Sequence, residues 1–202
     1  MTEPSATDSR VYLARHGQTA YNLQRRFQGR LPVPLYDTGR GQAAELAERA
    51  ASYGFRELWC SPLLRARQTA DIVAGRIGLR PREDERLVET DAGDWTDRLF
   101  ADVQAEDPER FAGFVNGDPD FSFPGGESFA AQSRRVGAAL ADVERGRLPA
   151  LVVCHGGVIR IALVLRAGDR TPLARPVTNA ALIPLDAPPG DPQPGEPAPL
   201  SA

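Results

Sequence analysis

Short apolar runs alternate with amphipathic stretches along most of this chain. Val11-Tyr12-Leu13-Ala14 has the length of a buried strand and runs straight into Arg15-His16-Gly17. A polar stretch rich in Gln, Arg and Pro follows to about Tyr36 and reads as a loop. Asp37-Thr38-Gly39 then opens a helix with Thr38 as N-cap, and Ala43, Leu46, Ala47 and Ala50 form its apolar stripe. Glu57 to Cys60 is a second short strand. Ser61-Pro62 is a start signal, Ser as N-cap and Pro at the first helical position, for a helix that Gly78 ends after about Ile77. Residues 79–95 read as a short strand or loop around Leu87-Val88. A helix from Ser128 to Arg145 carries Phe129, Val136, Leu140 and Val143 on one face. Ala150 to Cys154 is a further apolar strand, leading into His155-Gly156-Gly157 and a helix from Val158 to about Leu165. Ala181 to Leu185 is the last expected strand, and no solenoid-type repeat is present.

Strands alternating with helices predict an α/β fold, a three-layer α/β/α sandwich around a mostly parallel sheet. One domain spans 11–186, after a flexible N-terminus at 1–10. Residues 96–126 break the alternation and are expected as a lid insertion. Their phenylalanines, Phe100, Phe111, Phe114, Phe121 and Phe123, either line the mouth of a site or form a small satellite core. From Ala187 to Ala202 Pro and Gly dominate, and a disordered tail is expected.

Composition narrows the function classes. A net charge of -3 gives no global positive field for nucleic acid or anionic lipid. All 24 basic residues are Arg, which excludes a Schiff-base or P-loop lysine. The first ten residues lack an apolar signal core, and no apolar run reaches the length of a membrane span. Cys60 and Cys154 make no disulfide framework, so a cytoplasmic protein with reduced thiols is expected.

Parallel sheets place their sites beyond the carboxyl ends of the strands. Arg15-His16, Ser61 to Arg65 and His155-Gly156 each follow an expected strand, so the fold should bring them to one edge. The chain has only two histidines, and both stand at a strand end before Gly. Each Gly would let the backbone turn sharply and approach a ligand. Arg15 directly ends an apolar strand, unlike a solvated surface charge. Arginines at helix N-termini make an anion site suited to a phosphoryl group.

Arg15-His16-Gly17-Gln18-Thr19-Ala20-Tyr21-Asn22 resembles the signature of the histidine phosphatase superfamily, also called the phosphoglycerate mutase-like family. The similarity continues in Phe27-Gln28-Gly29, in Thr38-Gly39 with Gln42-Ala43, and in Ser61-Pro62-Leu63-Leu64-Arg65-Ala66-Arg67-Gln68-Thr69-Ala70. It extends through Leu87 and Glu89, Gly93 and Trp95, Phe123-Pro124-Gly125-Gly126-Glu127-Ser128 and His155-Gly156-Gly157-Val158-Ile159-Arg160. These motifs stand in the family's order over nearly all of 11–185.

The resemblance implies the family's sandwich fold and a metal-free, cofactor-free phosphatase acting on a small phosphomonoester, as a monomer or homodimer. It implies His16 as nucleophile, with its other nitrogen donating to a backbone carbonyl. Arg15, Arg65 and His155 would hold the phosphoryl oxygens, with Asn22 and the Gly156 amide adding hydrogen bonds. Glu89 would be the acid and base, with Asp91 and Asp94 as close rivals. Thr19, Phe27 and Gln28 are implied substrate contacts. Family members often carry Gly two residues after the Trp of Gly-x-Trp, and Asp97 stands there instead, which puts the backbone course beyond Glu89 in question.

Rival readings carry their own signals. A two-histidine metal site would need further ligands, and arginines beside the histidines repel a cation. Cys154 beside His155 suggests a thiol–imidazole pair, but neighbours on a strand point to opposite faces, which favours a buried structural Cys. The mutase branch usually has a longer segment before the second His and Asn after its His-Gly. Here the segment is short and Gly157 fills that position, which favours hydrolysis. A scaffold that binds phosphorylated ligands without turnover is a third reading, opposed by the full His-Arg-Glu-His set.

Overall fold

A computed structural model describes residues 10–168 and 177–186. The expected disordered tail at 187–202, and residues 1–9 of the expected flexible N-terminus, lie outside the described residues. Five strands form one sheet: β1 (Val11–Arg15), β2 (Glu57–Cys60), β3 (Pro81–Glu83), β4 (Ala150–Cys154) and β5 (Leu182–Pro184). Their spatial order is β3-β2-β4-β1-β5, with β5 antiparallel to β1 and every other pairing parallel. The two prolines sit on the edge strands, where a missing N–H is tolerated.

The helices are α1 (Ala20–Gln24), α2 (Asp37–Ala50), α3 (Leu64–Ile77), α4 (Phe100–Glu106), α5 (Pro108–Asn116), α6 (Phe129–Glu144) and α7 (Gly156–Ala167). Strand alternation divides the core into two layers. Leu151 and Val153 of β4 join Tyr12, Ala14, Leu58 and Cys60 against Leu46, Ala47, Ala66, Ala70 and Val73 of α2 and α3. Val152 and Cys154 join Leu13 and Trp59 against Val136, Leu140, Val143, Ile159 and Ala162 of α6 and α7. This is the expected three-layer sandwich. Cys154 lies in the second layer, buried, and burial holds its thiol well above the ordinary value.

Several local expectations change. Residues 96–126 are not irregular but contain α4 and α5, and their phenylalanines pack round Trp95 and Phe27 as an aromatic core of their own. The loop before Tyr36 contains α1, whose capping box pairs Thr19 with Asn22. The short strand or loop expected in 79–95 is β3 at Pro81–Glu83, followed by a 3-10 turn that Leu87 ends. Neither Thr38 nor Ser61 caps a helix: Tyr36 and Leu63 hold those positions without side-chain capping bonds. Asp97 adopts the left-handed conformation, φ 68°, which short polar residues tolerate. Its carboxylate accepts a 2.8 Å bond from Tyr21 and pairs with Arg26, which holds this turn in place.

Candidate active site

The carboxyl ends of β1, β2 and β4 meet as expected, and the two imidazoles stand 5.3 Å apart between ring centres. His16 is 2% exposed and His155 fully buried. The contacts of His16 fix its tautomer. Nδ1 lies 2.7 Å from the Gly17 carbonyl, which can only accept, so Nδ1 carries the proton. Nε2 lies 3.3 Å from Arg65 Nε, which can only donate, so Nε2 keeps its lone pair. Burial first, then the charges of Arg65 and Arg15, hold the His16 pKa well below 6.5. The ring is therefore neutral at neutral pH.

Gly17 has a different reason from the one its sequence context suggests. A Cβ there would lie 2.2 Å from the Gly39 carbonyl oxygen, so the glycine admits the first turn of α2 rather than a ligand. The Gly17 amide donates to Thr69 Oγ1 of α3, which ties the loop to a second element.

Arg65 is 1% exposed, and three of its five N–H donors are anchored: Nη1 to the Leu31 carbonyl at 3.1 Å, Nη2 to the Gly29 carbonyl at 2.9 Å, and Nε to His16. Arg15 donates from Nη1 to the Val177 carbonyl, while its Nε is buried without a partner among the described residues. Burial, then the like charge of Arg160, push Arg15 down to about 10, and burial pushes Arg65 to about 10. Both stay cationic at neutral pH. Arg65→Lys keeps the charge but loses this three-way fork. Activity should fall about 10–100-fold, the scale of one or two lost charge-assisted bonds, measured as kcat/KM and as inhibition by inorganic phosphate.

His155 Nε2 lies 2.7 Å from Ser61 Oγ, and its Nδ1 is buried with no partner among the described residues. Ser61 is the site residue the sequence concealed, because Ser-Pro after a strand reads as a helix start. Its hydroxyl serves a tertiary contact, and it also accepts a 3.2 Å bond from the Leu63 amide. Burial and the charges of Arg65, His16 and Arg15 hold His155 neutral. The residue is the N-cap of α7 and makes no side-chain capping bond, which leaves the positive end of that helix beside the imidazoles.

Glu89 is held against the same helix end. Gly157 N donates to its Oε2 at 3.2 Å and Thr90 N to its Oε1 at 2.9 Å. A Cβ on residue 157 would lie 2.4 Å from Oε1, so a larger residue there would displace the carboxylate from this position. Asn22 accepts from Thr19 N at 3.1 Å and from Asn179 at 3.2 Å, leaving its amide nitrogen as the free end. Asn179 also braces the His16 carbonyl at 3.0 Å, a role with no sequence signal. Thr19 is fully buried and bonds Gln28 Oε1 at 2.9 Å, and Phe27 packs in the aromatic core. Arg160, quoted only as part of a motif, has its Nε buried without a partner among the described residues. Among the described residues no three His, Cys, Asp or Glu side chains gather as a metal-binding group, and no helix is long and apolar enough to cross a membrane.

A neutral imidazole whose lone pair faces Arg65, two anchored guanidiniums and the N-terminus of α7 gather at one sheet edge, an arrangement suited to an anion such as a phosphoryl group. Fold and pocket together define an α/β protein of the phosphoryl-handling class. Residues 11–194 match the model of the histidine phosphatase superfamily (branch 1). The chain is 40% identical over 149 residues to a probable phosphoglycerate mutase GpmB of Salmonella newport, covering 72% of this chain and 69% of that one. A mycobacterial glucosyl-3-phosphoglycerate phosphatase in complex with VO3 superposes with a TM-score of 0.78 at 32% identity, over 86% of this chain and 88% of that one. A phosphoglycerate mutase from Thermus thermophilus superposes with a TM-score of 0.70 at 30% identity, over 89% of this chain and 94% of that one. The chain belongs to the histidine phosphatase superfamily, whose members here are phosphatases and mutase-like proteins.

Proposed function

We propose that the chain is a metal-independent phosphomonoesterase that hydrolyses small phosphorylated metabolites through a phosphohistidine at His16. The observation that carries this reading is the His16 tautomer: proton on Nδ1, lone pair on Nε2, beside Arg65. Two further buried donors have no partner among the described residues, Arg15 Nε and His155 Nδ1. With Ser61 donating to His155 Nε2, the imidazole proton sits on Nδ1 and is free for a phosphoryl oxygen. Arg15, Arg65, His155, Asn22 and the Gly156 amide then surround the phosphoryl group. Gln28, whose oxygen Thr19 holds, has its amide nitrogen left for substrate. Of the three implied substrate contacts it is the best placed to serve.

His16 Nε2 attacks phosphorus as the ester P–O bond breaks, and Glu89 gives its proton to the leaving oxygen. Water then attacks the phosphohistidine. Glu89 takes a proton from that water, the N–P bond breaks, and inorganic phosphate leaves. Fixed arginine charge meets the negative charge of the transferring group, so no metal is required.

Labelled substrate quenched in alkali should leave an acid-labile label on the protein, and turnover should survive EDTA. Absence of the label would remove the covalent route. Loss with EDTA and recovery with a divalent ion would restore a metal. The mutase reading is favoured by the identity to GpmB. Phosphate exchange between the hydroxyls of a phosphoglycerate, faster than phosphate release, would establish it. Binding without any turnover would indicate a scaffold.

A further inference from the structure

The segment Phe123 to Ser128 belongs to the family resemblance, and neither it nor the helix behind it is hydrogen-bonded to Arg15, His16, Arg65 or His155 among the described residues. Their contacts converge on the short stretch that carries Glu89. Arg135 of α6 donates from Nη1 to the Val88 carbonyl at 2.6 Å and to the Arg86 carbonyl at 2.8 Å. From Nε and Nη2 the same guanidinium forks onto Glu127, at 2.7 and 2.8 Å. Glu127 then closes the other side: its amide donates to the Asp91 carbonyl at 2.9 Å, and its Oε2 accepts from the Asp91 amide at 3.3 Å. Residues 88 and 91, which flank Glu89, are thus held by one ion pair. Arg30 lies on its outer side, 3.4 Å from Glu127 Oε2 and 3.5 Å from the Glu89 carbonyl.

The pair is not a solvated surface contact. The Arg135 and Glu127 side chains are 16% and 10% exposed, where a bidentate fork keeps most of its strength. Burial opposes the charge on Glu127, yet Arg135 overcomes it and the carboxyl stays below its ordinary range. The glycine before Glu127 serves the same contact: a Cβ on Gly126 would lie 2.4 Å from the Asp91 carbonyl oxygen. One turn before Arg135 on the same helix face, Gln132 is fully buried, and its Nε2 borders the space at Gly157 that Glu89 and Thr90 share.

We propose that Arg135 and Glu127 are positioning residues that fix the Glu89 carboxylate for proton transfer. Neither touches substrate: the pair acts through the main chain on either side of Glu89. This inference rests on Glu89 being the acid. Its effect should appear in steps that need a proton and not in phosphoryl binding, because Arg15, Arg65, His16 and His155 are held by other elements. Misplacement of a catalytic group by about 1 Å can cost about 100-fold.

The test compares Glu127→Gln, Arg135→Lys and Glu89→Gln in the full chain, with folding checked by thermal unfolding. Glu127→Gln keeps an acceptor for the Asp91 amide, and Arg135→Lys keeps the charge, so each variant retains half of the device. Pre-steady-state phosphoenzyme formation is measured with an alkyl phosphate and with nitrophenyl phosphate, together with inhibition by orthovanadate. Both clamp variants should slow the alkyl ester by about 10–100-fold and nitrophenyl phosphate by less than about 3-fold, with orthovanadate inhibition unchanged. Equal slowing with both esters, weaker orthovanadate binding or no slowing would each overturn the proposal. If Glu89→Gln shows the leaving-group contrast and neither clamp variant does, the clamp alone fails. If Glu89→Gln lacks the contrast, the acid assignment fails and the clamp falls with it.

Discussion

His16→Ala should abolish turnover, with a loss on the order of 10⁴–10⁶-fold, the scale seen when a covalent nucleophile is removed from a set that acts as a unit. No other group among the described residues can replace it. His155 has Nε2 bound to Ser61 at 2.7 Å. Both cysteines are buried, and burial pushes the Cys60 thiol up to about 12, so neither supplies a thiolate. The variant should still bind inorganic phosphate, because Arg15, Arg65 and the α7 N-terminus remain. Substantial phosphatase activity in the folded variant would end the covalent reading. The His16 environment also sets a pH expectation. A pKa held well below 6.5 means that falling pH does not protonate Nε2 near 6.5. The acid limb of kcat/KM, corrected for the substrate's own second ionisation, should therefore lie below the ordinary imidazole range. An acid limb near 6.5 that remained after correction for the substrate's ionisation would contradict the buried, arginine-flanked setting of His16.

Sheet, layers and the meeting of three strand ends were legible because they rest on local patterns. Ala43, Leu46, Ala47 and Ala50 mark the buried face of α2 by spacing alone, and each is buried. Val11 to Ala14 and Ala150 to Cys154 are fully apolar because both are interior strands covered by helices on both faces of the sheet. What escaped depended on distant partners. Ser61 looked like a cap because its alternative role needs His155, far along the chain. Gly17 looked like a ligand-facing glycine because its real neighbour, Gly39, is brought there by α2. The phenylalanines of 96–126 lack a helical stripe facing the main sheet, since α4 and α5 bury their rings against one another and Trp95 instead. Arg135 carried no signal and Glu127 stood in a motif without a role, because a clamp on backbone carbonyls leaves no periodicity.

Gly157 connects the residue pattern to the choice of acid. Its amide and its missing Cβ together make the place where Glu89 rests, whereas Asp91 and Asp94 are turned to other contacts. Asp91 Oδ1 accepts from the Gly93 amide at 3.0 Å, and a Cβ on Gly125 would lie 2.9 Å from Asp94 Oδ1. Of the three carboxylates the sequence left open, Glu89 is the one bonded to the helix end beside His155.

Glu89→Gln should therefore discriminate between leaving groups. An alkoxide from a sugar or serine phosphate needs a proton as the P–O bond breaks, whereas a nitrophenolate leaves readily without one. Gln keeps the size of the side chain and can accept from one of the two amides, Gly157 or Thr90, through its single carbonyl oxygen, so folding is checked by thermal unfolding. It cannot cycle a proton. General acid assistance is worth about 10²–10⁴-fold, and formation of phospho-His16 should slow by that factor with alkyl esters and far less with nitrophenyl phosphate. Steady-state turnover blurs this contrast, because the second step needs Glu89 to activate water for every substrate. In that step the variant should accumulate phosphoenzyme even with nitrophenyl phosphate, giving a burst followed by slow release. The two measurements together separate acid from base: a leaving-group contrast in the first step, and a common slow second step. Equal slowing of phosphorylation with both esters would remove Glu89 as the acid and return Asp91 and Asp94 to consideration, despite the contacts that now hold them elsewhere.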